Sequence, residues 1–273
     1  MQLDINWLQA ELNTGPLAPM AQGGQKVVLK TTTGPPMVVK VVHPTADPER
    51  VIREIQAAHR LAGHFVPQVH WARQIPSPLG TLIVFAEQLI PGATLRSLVA
   101  SGTAATDALH LTRRLTAIAA AAEAAHIVHR DIKPDNIIVN PGSGAWLLDF
   151  GLARVLDKQS LTATGNAYGP GTPGYNPPEQ FRNHKRIVDA RCDLFAIGVT
   201  LYEYVTGMNP YTNGTRDVLE RLHRIESMEL PRLSPQQLAS AGLADLIHAL
   251  TRRARHQRPR TAALASAWAQ SIV

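Results

Sequence analysis

Residues 129–136 read His129-Arg130-Asp131-Ile132-Lys133-Pro134-Asp135-Asn136, and Asp149-Phe150-Gly151 follows a short way downstream. Together the two strings supply a carboxylate base, a lysine, and an amide and a carboxylate of the kind that hold a hard divalent cation. Phosphoryl transfer calls for that combination: an oriented hydroxyl, a cation facing the phosphate, and charge neutralisation by metal. Taken singly, each residue has a plainer use. Asp131 suits a helix cap, Asn136 a turn, and Asp149-Phe150-Gly151 the end of a strand. Eight specified positions and a second motif at a workable distance rarely meet by chance.

The chain has 273 residues, of which 45% are hydrophobic and 18% charged, the balance of a globular domain with a proper core. Its one cysteine, Cys192, excludes an internal disulfide framework and a cysteine-based zinc site, and suits a reducing, cytoplasmic setting. The start, Met1-Gln2-Leu3-Asp4-Ile5-Asn6-Trp7, lacks the basic and apolar blocks of a signal peptide. The most apolar stretch, Leu115 to Val128, is interrupted by Glu123 and His126 and reads as a buried helix, so no membrane span is expected. A net charge of +6 raises the question of nucleic acid. The densest basic run, Arg252 to Arg260, has no interleaved aromatics and no base-reading motif. It reads first as a solvated helix end and second as a surface for acidic partners or substrates, and no nucleic-acid partner is expected.

Strand-like material dominates up to Pro91, in the runs 26–30, 37–42 and 81–85. A single helix interrupts it: Asp47 is a good N-cap, Pro48 suits the first helical position, and Val51, Ile55 and Ala58 share one side. Beyond Gly92 helices are expected at 94–100, 106–126, 191–207, 215–227, 235–253 and 261–271. Short strands fall around Ile137-Ile138-Val139 and Trp146-Leu147-Leu148. A small β-rich part followed by a larger helical part is an α+β, bilobal plan with its hinge near Gln88 to Pro91.

From about Leu17 to about Ala263 the chain resembles the eukaryotic-type serine/threonine protein kinases in their bacterial form. The resemblance implies one kinase domain over 1–273, with an N-lobe over 1–90, a C-lobe over 91–273 and an ATP cleft between them. It implies that Asp131 is the catalytic base and that Lys133 faces the γ-phosphate, a lysine that goes with serine/threonine specificity in the family. Asn136 and Asp149 would bind Mg²⁺, or Mn²⁺ in its place, and His129 would pack beneath Phe150. Val38-Val39-Lys40 resembles the family's third-strand motif, so Lys40 would hold the α- and β-phosphates and pair with Glu54.

The glycine-rich phosphate loop departs most from the family. Counting back from Lys40 puts Ala18 and Met20 where glycines stand, leaving Gly23, doubled by Gly24. Glycine there lets backbone N–H groups approach phosphate closely. Val38 replaces a smaller alanine and would narrow the adenine slot. Downstream, Gly171-Thr172-Pro173-Gly174-Tyr175 and Pro177-Pro178-Glu179 resemble the end of the activation segment. By this resemblance Thr172 would bond Asp131 and Lys133, Glu179 would pair with Arg258, and Asp193 would clamp the catalytic loop. Arg130 marks enzymes whose activation segment is ordered by phosphorylation. Ser160, Thr162 and Thr164 are the candidate acceptors, Thr162 and Thr164 foremost, through self-phosphorylation in trans.

The implied activity is transfer of the γ-phosphate of ATP to protein hydroxyls. Two other readings stand beside it. One is a pseudokinase or weak kinase acting as a scaffold, motivated by the degenerate phosphate loop. The other is a small-molecule kinase of the antibiotic or choline type, which shares the aspartate, asparagine and metal chemistry but lacks the Gly171–Tyr175 platform.

Overall fold

The computed structural model describes residues 3–22, 26–102, 107–155, 168–184, 186–234, 237–238 and 240–273. The first ninety residues carry β1 (Leu17–Gln22), β2 (Lys26–Thr31), β3 (Met37–Val42), β4 (Val69–Ser77) and β5 (Gly80–Gln88). They form one antiparallel sheet of order β1-β2-β3-β5-β4. Because side chains alternate across a strand, the runs of valine and leucine load both faces. Val27, Leu29, Val39, Val41, Leu82, Val84 and Ala86 make one buried face. Val42 and Phe85 point the other way, into the core that continues through the helical part.

Two helices flank this sheet, one more than the sequence reading supplied. Helix α1 (Ile5–Leu12) starts at Asp4, whose side chain accepts the N–H groups of Asn6 and Trp7. Leu8 and Leu12, one turn apart, close the outer face of the sheet, with Trp7 packed alongside. Helix α2 (Pro48–Arg60) begins as its sequence implies, with the Asp47 side chain accepting from the Glu49 N–H and Pro48 in the first turn. Its inward side buries Val51, Ala57 and Ala58, and also the charged Arg53 and Glu54.

Beyond the hinge come β6 (Ala93–Thr94), α3 (Leu95–Ala100), α4 (Ala108–Ala124), β7 (Ile127–Val128), β8 (Ile137–Asn140), β9 (Gly144–Leu147) and β10 (Arg154–Val155). Helices α5 (Pro178–Phe181), α6 (Ala190–Thr206), α7 (Val218–Ser227), α8 (Ala241–Leu250) and α9 (Ala262–Ser271) complete the chain. Of the apolar stretch from Leu115 to Val128, Leu115, Ile118, Ala119 and Ala122 are buried on α4, while its last two residues form β7 rather than a continued helix. Helix α6 is buried on nearly every side, from Cys192 to Leu201. Among the described residues no helix is long and apolar enough to cross a membrane.

Two expectations need correction. The helix expected over 235–253 begins only at Ala241, where the Ser240 hydroxyl accepts the Leu243 N–H and sets the start. The basic run after Arg252 is not a solvated helix end. Arg255 meets Asp189 at 2.5 Å, Arg258 meets Glu179 at 2.6 Å, and Arg252 lies 3.6 Å from Glu229. Arg255 and Arg258 in particular tie this segment to α5 and to the start of α6.

Candidate active site

Lys40 lies in the middle of β3, on the side of the sheet that faces α2 and the helical part. Its ammonium meets Glu54 of α2 at 3.1 Å and Glu87 of β5 at 2.8 Å. Glu87 reaches it diagonally, since Val38, two residues before Lys40, is the register partner of Glu87. Burial alone would lower the pKa of Lys40, but the carboxylates of Glu87, Glu54 and Asp149 overcome it and hold the group above the ordinary lysine range. Val38 is buried in the same strand.

The catalytic-loop motif hangs from α6. Asp193 is buried in the first turn of that helix; one carboxylate oxygen accepts the His129 N–H at 2.8 Å and the other the Arg130 N–H at 2.9 Å. Burial pushes its carboxyl up, against the pull of His129 and those two N–H groups. The clamp holds Arg130 in the left-handed region, at φ 68°, which an arginine rarely adopts unaided. The His129 ring packs edge-on against Phe150 with centroids 4.5 Å apart. The Asp131 N–H points at its Nδ1 at 3.2 Å, and its Nε2 lies 2.9 Å from the Leu148 carbonyl oxygen.

Around Asp131 three side chains converge. Thr172 donates its hydroxyl to Oδ1 at 2.6 Å, Lys133 its ammonium to Oδ2 at 3.0 Å, and Asn136 its amide to Oδ2 at 3.2 Å. Lys133 also donates to the Thr172 hydroxyl at 2.7 Å. Asn136 Nδ2 further donates to the Asp131 carbonyl at 2.9 Å, which leaves its oxygen as the end available to a cation.

Asp149 sits at φ 59°, and its side chain accepts the Gly151 N–H at 3.1 Å. Burial alone would raise its pKa; Lys26, Lys40, the Gly151 N–H and His129 more than reverse that and hold it well below the usual carboxylate range. Asp131, Asp149, Glu54, Lys26 and Gly151 line one cleft of about 250 Å³. The donor set suits Mg²⁺: the Asp149 carboxylate, held ionised, and the Asn136 amide oxygen.

The segment returning to α5 is locked to this loop. Gly171 is at φ 116°, and a Cβ there would lie 2.5 Å from the Arg130 carbonyl, so the residue before Thr172 must be glycine. Gln180 donates to the carbonyls of Arg130 and Pro170 at 2.7 and 2.9 Å. Glu179 and Arg258 form a buried two-pronged pair at 2.6 and 3.2 Å. Arg130 is pushed down to about 10, first by burial and then by Arg154, Arg50 and Arg53, with Asp193 opposing. Three further arginine charges thus act on Arg130.

Gly23, Gly24, Ser160, Thr162 and Thr164 lie outside the described residues. Ala18 and Met20, expected in the phosphate loop, belong instead to strand β1, where Ala18 opposes Lys30. Strand β1 ends at Gln22 and β2 begins at Lys26, so the connection between them comes after both residues. Lys26, Glu87 and Gln180 were not foreseen. For the first two, strand alternation was the available signal: Lys26 and Glu87 share the cleft face with Lys40.

The protein kinase domain model matches residues 21–269 of this chain. The serine/threonine-protein kinase PknD of Mycobacterium tuberculosis is 35% identical over 69% of this chain and 27% of its own length. PknB of the same species is 33% identical over 60% of this chain and 26% of its own. The DNA damage-responsive serine/threonine-protein kinase RqkA of Deinococcus radiodurans is 31% identical over 93% of this chain and 38% of its own. The chain therefore spans well under half the length of these curated relatives. With the match running from β1 into α9, and the two lobes and their cleft in place, the chain belongs to the protein kinase domain family.

Proposed function

We propose that this chain is a protein serine/threonine kinase that transfers the γ-phosphate of ATP to protein hydroxyls. The observation that carries the reading is the group around Asp131. An acceptor hydroxyl would take its place beside Asp131 and Thr172, with the carboxylate receiving the hydroxyl proton. The hydroxyl oxygen forms a bond to the γ-phosphorus as the bond to the β–γ bridging oxygen breaks, and ADP leaves. Lys133, already bonded to Asp131 and Thr172, offsets charge on the moving phosphoryl group. Lys40, paired with Glu54, positions the phosphates. Mg²⁺, or Mn²⁺ in its place, would be held by Asn136 and Asp149 and would neutralise the phosphate oxygens.

The scaffold reading has less behind it: Lys40 is paired with Glu54, and Asp131 is bonded to Lys133 and Asn136, which supports a working site. The small-molecule reading does not account for Thr172, whose bonds to Asp131 and Lys133 tie a peptide platform to the base. Incubation with radiolabelled ATP and casein or myelin basic protein, beside parallel reactions with aminoglycoside and choline, separates the classes. Label on protein supports the reading. Label only on a small molecule, or none at all, overturns it.

The arginine charges at Arg130 favour control by phosphorylation. Arg130 feels the charges of Arg154, Arg50 and Arg53, and a phosphorylated side chain on the activation segment would meet that positive potential, with the Arg130 guanidinium as its first donor. Thr162 and Thr164 are the proposed acceptors, with Ser160 third, and the modification would be self-catalysed in trans.

A further inference from the structure

Lys26 opens β2, and the alternation of that strand decides where it points. Val27 and Leu29 are buried against α1 on the outer face. Lys26 and Val28 therefore face the cleft, opposite Val42 and Lys40 in register. The Lys26 ammonium lies 3.0 Å from Glu54 Oε2 and 3.6 Å from Asp149 Oδ1. Five charges of alternating sign thus run from the hinge to the cleft: Glu87, Lys40, Glu54, Lys26, Asp149.

The two lysines in this row are not equivalent. The Lys40 side chain is 8% exposed and touches two carboxylates, while that of Lys26 is 25% exposed. A lysine enclosed by two carboxylates presents little net positive potential to a third anion. Lys26 shares Glu54 with Lys40 and stands on the open side, beside an Asp149 side chain that is 45% exposed. The cleft that contains Asp131 and Asp149 is lined by Lys26 and not by Lys40.

We infer that Lys26 is a second phosphate-binding residue of the nucleotide site, its ammonium meeting the triphosphate next to the cation held by Asp149. Lys40 keeps its place at the phosphates while also fixing Glu54 to the sheet, and Lys26 adds a second cation beside it. A flexible three-donor ammonium at the start of β2 suits this place, because it can meet phosphate oxygens from the sheet side of the cleft.

The inference rests on the kinase reading, and its test keeps the two apart. Wild type, Lys26→Met and Lys26→Arg are compared for KM and kcat toward ATP and for Mg·ADP affinity by calorimetry. Lys26→Met raises the KM for ATP and weakens Mg·ADP about tenfold or more, the scale of one charge-assisted contact. Its kcat falls by a smaller factor, and Lys26→Arg recovers most of the affinity. A lysine that merely steadied Glu54 would lower kcat and leave Mg·ADP affinity alone, which overturns the inference. So does an unchanged KM in a Lys26→Met protein that melts like wild type. If Lys26→Met does not fold, Lys26→Gln is read by the same criteria. Failure of the wild type itself to bind or use ATP refutes the kinase reading instead.

Discussion

Glu87 approaches Lys40 more closely, at 2.8 Å, than does Glu54, at 3.1 Å. The residue beside the hinge is thus an acid that holds the strand lysine from behind. Both partners are buried, so removing one leaves the other's charge poorly compensated. Glu87→Ala should lower the unfolding free energy by about 3 kcal/mol, with Glu54 retaining part of the pairing. Urea denaturation measures it, and a loss below about 0.5 kcal/mol, the size of a neutral surface change, would mean that Glu87 does little for the lobe.

Arg258 has three further obligations besides Glu179: its guanidinium donates to the carbonyls of Arg252, Arg191 and Arg253 at 2.7, 3.1 and 2.8 Å. Arg258→Ala should cost about 3–5 kcal/mol, the range for breaking a buried ion pair. Arg258→Lys should recover little, because an ammonium cannot replace a fork of donors. Thermal melts of the two variants decide the point, and a lysine variant as stable as wild type would contradict the geometry.

Acid sensitivity follows from Asp149. Its folded pKa is depressed, so the stability it contributes is present above the unfolded carboxylate value of about 3.9 and is lost as pH falls through the folded value. Asp149→Asn should therefore flatten the part of the stability profile below about pH 4 while leaving the neutral region less affected. Denaturant titrations across that range check it. Parallel profiles for the two proteins would assign the acid limb to other carboxylates.

Loop control has its own test. Mass spectrometry of the wild type should find phosphate on Thr162 or Thr164, and the Asp131→Asn protein should carry none. The Thr162→Ala/Thr164→Ala protein should then phosphorylate added protein at least about tenfold more slowly, the loss expected when the arginine site has no phosphate to order the loop. Wild-type turnover in that variant would remove the switch.

Legibility in the sequence followed the distance over which each feature is decided. Asp131, Lys133 and Asn136 lie within six residues of one another, and their convergence is a property of one loop. The start of α2 was equally plain, because Asp47 and Pro48 act on their own turn. For Lys26 and Glu87 alternation gives the face each one takes, but which residues they meet depends on strand register, which no local string records. The basic run was misread for a similar reason: its acidic partners, Glu179, Asp189 and Glu229, come from segments far away in the chain. Helix α1 showed only one apolar turn, Leu8 to Leu12, too little to separate a helix from an extended lead-in.

The role of Asp131 is the claim on which the account depends most. Phosphate transfer from ATP to a protein acceptor by the Asp131→Asn variant, at saturating Mg·ATP, measures it directly. The variant should keep the Mg·ATP-induced rise in melting temperature, since Lys40, Asn136 and Asp149 are intact. Its rate should fall by about 10²–10⁴, the scale of a positioned base. Transfer at the wild-type rate would contradict the account.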